Sequence, residues 1–196
     1  MTKVSTLTSF LVASVVWVMP GVVLAHTGVG GTAGFGAGLS HPVGGADHLL
    51  AMVAVGLWAA QTRGRARWGI PAAFLGAMVL AGALGIAGVP VPFVEAGTLA
   101  SVLVLGLLIT TASRFPLAVS VLVVAVFAVF HGHAHGTEMP PGSGAFAYSA
   151  GFVLATALLH GCGIAVGIAL DRPGLRKAAR TAGGAIAAGG LYLTMA

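Results

Sequence analysis

Seven histidines and four acidic side chains supply most of the chemistry available to this 196-residue chain. They are not scattered. One group runs His41-Pro42-Val43-Gly44-Gly45-Ala46-Asp47-His48. On a continuous helix His41 and His48 would lie about 20° apart around the axis, with Asp47 about 100° from His48. Pro42 and the Gly44-Gly45 pair argue for a broken helix instead, because proline lacks a backbone donor and glycine tolerates unusual dihedrals. A second group runs His131-Gly132-His133-Ala134-His135-Gly136-Thr137-Glu138. There His131, His135 and Glu138 stand at i, i+4 and i+7, on one helix face within about 40°. His133 falls about 160° away and reads as outward-facing loop polarity. Thr156 and His160 form a third pair at i, i+4, and His26 stands alone near the start. Imidazole and carboxylate in these registers are a partial coordination set for a borderline divalent metal.

The elements that must position these groups are hydrophobic helices. Of all residues 58% are apolar and 7% charged, and the mean hydropathy is +1.03. A soluble domain carries about 25% charged residues, so the chain reads as an all-α integral membrane protein in contact with a lipid bilayer. Disorder is excluded by the same composition. The net charge of +5 comes from short arginine-bearing turns rather than one basic face, which argues against a nucleic-acid partner. Cys162 is the single cysteine, which excludes an internal disulfide or a cysteine-rich zinc site. Two residues from His160, it points to the other side of the helix and reads as packing.

Lys3, an apolar run from Phe10 to Met19 and the small residues up to Ala25 have the pattern of a cleavable signal peptide over residues 1–25. Residues 26–196 then form one domain, with His26 at the mature N-terminus on the outer side. Six segments of spanning length follow: 34–61, 68–89, 93–113, 116–136, 144–170 and 175–195. Starting outside, the turns after the first, third and fifth segments face the cytoplasm. Together with the entry to the sixth segment they hold Arg63, Arg65, Arg67, Arg114, Arg172, Arg176, Lys177 and Arg180, while the outer loops hold no Lys or Arg. That is the positive-inside pattern. Gly163 and Gly167, a small-xxx-small pair, are expected to pack helices of one bundle closely.

With this orientation His41 and the group from His131 to Glu138 lie toward the outer face, and Asp47, His48 and His160 lie deeper. Ionisable groups within spans usually face a bundle interior or a wet cavity. Two descending layers of donors therefore suit inward passage of a cation. A rival reading is an intramembrane metalloenzyme, but His-Glu-x-x-His is absent and no complete catalytic constellation appears. A metal-binding membrane protein that does not transport is the other rival.

The spacing His41-x5-Asp47-His48 followed by Met52, together with Phe130-His131-Gly132-His133-Ala134-His135-Gly136-Thr137-Glu138, resembles the two signature motifs of the HupE/UreJ family. The stretch from Gly151-Phe152 to Leu159-His160 is similar to a third shared segment. The resemblance implies a multi-pass nickel or cobalt permease of the bacterial inner membrane, associated with hydrogenase or urease maturation. It also implies that His41, Asp47, His48, His131, His135 and Glu138 are needed for transport, with Ni²⁺ or Co²⁺ as cargo and no permanently bound cofactor. Donor chemistry alone does not select the metal, since imidazole with carboxylate suits Ni, Co, Zn and Cu(II).

Histidine must be neutral to bind a metal. Uptake is therefore expected to fall as the outer pH drops below about 6, near the reference histidine pKa. Measured initial rates that stay constant across that range would assign the limiting contacts to carboxylates or carbonyls.

Overall fold

The computed structural model describes residues 31–195, so the expected leader and His26 lie outside the described residues. Those residues form an all-helical bundle. We number the helices α1 (Gly31–Gly44), α2 (Ala46–Thr62), α3 (Ala66–Ile86), α4 (Val94–Thr111), α5 (Leu117–Thr137), α6 (Ala145–Leu170) and α7 (Arg176–Leu193). The first expected span is broken. Gly45 leaves the helical region at φ −106°, ψ 125°, and α1 and α2 meet there at 82°. Pro42 sits inside the last turn of α1.

Four helices, α3 to α6, are long and apolar enough to cross a membrane, and the bent pair α1–α2 makes a fifth if counted as one span. The sequence led us to expect six. The segment corresponding to the sixth, α7, is 18 residues long but opens with Arg176, Lys177 and Arg180, and is less apolar than the other four. Large apolar side chains face outward all round the bundle, with Leu80, Leu122 and Phe146 72%, 64% and 89% exposed. Such a surface suits lipid rather than water.

Helix pairs approach through glycine. A Cβ on Gly163 of α6 would overlap the Val53 carbonyl oxygen of α2 and lie 3.0 Å from Gly56 Cα. Gly167 faces Ala60 on the same helix pair. The expected close packing within one bundle is thus what the structure has. In α5, Gly132 and Gly136 alternate with the histidines and let that helix lie against Met78, Gly82 and Gly85 of α3. The glycine face fixes the crossing, and the histidine face is thereby turned toward the interior.

All the Lys and Arg of the described residues cluster at one end. There Arg63 pairs with Asp171, and Arg176 Nε lies 3.4 Å from the same carboxylate. Arg180 Nε–H donates to the Thr110 carbonyl at 2.7 Å, and Trp58 Nε1–H donates to the Ser113 carbonyl at 2.9 Å. These bonds tie the ends of α2, α4, α6 and α7. The Arg63 guanidinium holds the Asp171 carboxyl below its ordinary value. A depressed carboxyl pKa gives a contribution present above the unfolded value, near pH 4, and lost only as pH falls through the lower folded value. The clasp is therefore constant around pH 6.

Gly163→Ala should lower the thermal unfolding midpoint in detergent, since overpacking costs about 1–3 kcal/mol. Gly161→Ala, whose Cβ would meet nothing within 4 Å, should leave the midpoint unchanged or raise it. Equal effects from the two would show that backbone approach does not govern this crossing.

Candidate metal pathway

The bundle interior brings four of the predicted imidazoles into mutual edge contact. His41 ends α1, His48 opens α2, and His131 and His135 lie on the last two turns of α5. Ring centroids of His41 and His135 are 4.8 Å apart, those of His48 and His135 4.7 Å, and those of His48 and His131 4.8 Å. His41 and His48 are themselves 6.1 Å apart. Residues separated by some 90 positions in sequence thus form one cluster, and the break at Gly45 is what lets α1 and α2 approach it from two directions.

Each carboxylate of the two motifs ends on an imidazole. Glu138, the residue capping α5, reaches across to α1, where its Oε2 is 3.0 Å from His41 Nε2. This is the exposed mouth of the cluster, Glu138 being 56% exposed. Asp47 Oδ1 is 3.0 Å from His48 Nδ1. A carboxylate can only accept here, so His48 carries its hydrogen on Nδ1 and leaves the Nε2 lone pair bare. That Nε2 is buried and has no partner. Both ring nitrogens of fully buried His135 are likewise without partners, and the ring stacks on Phe152 at 4.9 Å. Burying such polar atoms unpaired is costly, and in a native site each calls for an explanation such as an ion.

His160 lies deeper, on α6. Its Nδ1–H donates to the Met52 carbonyl at 2.8 Å, and Nε2 is buried without a partner. Phe74 of α3 touches both sides, 5.2 Å from the His160 ring and 5.8 Å from that of His131. His160 is therefore a neighbour of the four-ring cluster through a shared aromatic contact. Thr156, one turn earlier, is buried and its hydroxyl contacts Met78 Sδ at 3.8 Å. Among the described residues no three His, Cys, Asp or Glu side chains stand in the arrangement of a finished metal site.

Two expectations are corrected. His133 is not solvated loop polarity. It is 6% exposed, and its Nε2–H donates to the Val89 carbonyl at 2.8 Å, because the segment following α3 folds over the end of α5. Cys162 points away from His160 as expected, but it is exposed rather than packed in the bundle.

Sequence reasoning overlooked the groups that surround the rings. Ser101 of α4 contacts His131, and Phe74, Tyr148 and Phe152 wall the cluster. Ser101 was a hydroxyl within an apolar segment, which is a signal, but nothing in its spacing joins it to a histidine 30 residues away.

The HupE / UreJ protein family profile matches residues 14–193. Protein HupE of Rhizobium leguminosarum bv. viciae is 45% identical over 177 residues, which cover 89% of this chain and 91% of that one. No solved structure is significantly similar. A match across nearly the whole length, both histidine motifs included, places the chain in the HupE/UreJ family.

Proposed function

We propose that this protein passes a divalent transition-metal ion, Ni²⁺ with Co²⁺ as the alternative cargo, from the periplasm to the cytoplasm. The observation that carries the reading is the cluster of His41, His48, His131 and His135, whose neighbouring rings stand 4.7 to 6.1 Å apart and in which His48, His131 and His135 keep buried ring nitrogens without partners among the described residues. The nickel and cobalt preference rests on membership of the HupE/UreJ family, whose members serve hydrogenase or urease maturation. In this reading Glu138 and His41 receive the ion at the exposed mouth. His135, His48 with Asp47, and His131 then pass it inward, and His160 receives it beyond Phe74. His26, on the outer side by the expected topology, is a further candidate ligand.

The same proposal assigns six spans in the inner membrane, after removal of residues 1–25. The bent pair α1–α2 makes the first and α7 the sixth. The clustering of Arg and Lys at one end supports that topology, because positive charge is retained on the cytoplasmic side. A series of sites rather than one saturated shell suits transport, where binding must be weak or divided enough to release the ion.

Uptake of radioactive Ni²⁺ into proteoliposomes tests the proposal. The intact protein should support saturable uptake, reduced to the protein-free level in His48→Ala and Asp47→Ala. Equal flux for the intact protein and both variants would refute the assignment of these residues. Turnover of a substrate by metal-loaded protein with no flux would instead support an intramembrane enzyme. Competition by Co²⁺, Zn²⁺ and Cu²⁺ in the same assay decides the cargo.

A further inference from the structure

The hydrogen bonds at His131 determine which of its nitrogens is free. Ser101 is fully buried on α4, one turn beyond Thr98. Its Oγ lies 2.6 Å from the Thr98 carbonyl oxygen and 2.8 Å from His131 Nε2. A hydroxyl has one proton and a carbonyl has none. The short contact to Thr98 takes the serine proton, which leaves Ser101 Oγ as an acceptor toward the ring. His131 must then donate from Nε2. A neutral imidazole with hydrogen on Nε2 has its lone pair on Nδ1, and His131 Nδ1 is buried with no partner among the described residues. The Thr98 hydroxyl does not disturb this order, since it donates to the Val94 carbonyl at 2.8 Å.

We propose that Ser101 is a positioning residue that holds His131 in the Nε2–H tautomer, so that His131 meets the metal ion through Nδ1. The proposal deepens the transport reading and rests on it for its functional consequence. His48 is ordered the opposite way, because Asp47 takes the Nδ1–H and leaves Nε2 bare. Two rings 4.8 Å apart thus present different nitrogens. Partners that hold the second nitrogen of a metal-binding histidine fix its tautomer and orientation, and their loss weakens metal affinity about 10- to 100-fold. Without the Ser101 hydroxyl, His131 is free to move its hydrogen to Nδ1, where it blocks the ion.

The test uses the full chain, ¹⁵N-labelled at histidine, purified metal-free in lipid nanodiscs. The His131 resonances are those lost in His131→Gln. In the wild type they should report a protonated Nε2 and a bare Nδ1. Ser101→Ala should stay folded, show mixed or inverted protonation and bind Ni²⁺ with a Kd weaker by about tenfold or more. Ser101→Thr, which keeps the hydroxyl, should restore both the spectrum and the Kd. A wild-type His131 protonated on Nδ1 overturns the proposal. So does a Ser101→Ala protein whose ¹⁵N pattern and Kd match the wild type. Should wild-type vesicles fail to take up Ni²⁺ while tautomer and Kd respond to Ser101, the transport reading fails and the positioning role stands.

Discussion

An uncharged imidazole offers one donor and one acceptor, and for four of the buried rings the interior of this bundle supplies a partner for the donor only. His48, His131, His133 and His160 each bond a carboxylate, hydroxyl or backbone carbonyl through one nitrogen. The other nitrogen of each is buried with nothing opposite. A buried lone pair left without a partner raises the free energy of the fold. The helix crossings, the break in the first span and the aromatic walls are arranged around holding these rings in place. A soft apolar core would be more stable, so the cost signals selection for something other than stability.

Glycine makes the arrangement feasible. Interiors without a solvent-driven attraction between helices depend on close van der Waals approach. In α5 the same short stretch alternates histidine and glycine, so one face reaches into the interior while the other rests directly on the backbone of α3. The two properties are coupled, because a bulky residue at Gly132 or Gly136 would rotate or displace the very turns that carry His131 and His135. Position along the sequence and position in the site are inseparable here.

Much of this was legible in the residues themselves. Register placed His131, His135 and Glu138 toward one side, Pro42 and Gly44-Gly45 pointed to a break, and Gly163 with Gly167 pointed to close packing. Less was legible wherever the partner came from a distant helix. Local periodicity says which way a side chain points but not what it meets, so the joining of Glu138 to His41 and of Ser101 to His131 could not be derived from spacing. His133 shows the same limit from the other side. Its angle on the helix was read correctly, but the segment after α3 that covers it is set by chain topology.

The break at Gly45 has an electrostatic consequence. It starts a new helix, α2, at the imidazole cluster, and the first turn of any helix presents amide hydrogens equivalent to about half a positive charge. That is a hostile place for a dication. Asp47 lies in that same turn, so its carboxylate offsets the amide field as well as anchoring the ring of His48. One acidic side chain thereby cancels the positive field that this corner of the backbone would otherwise hold.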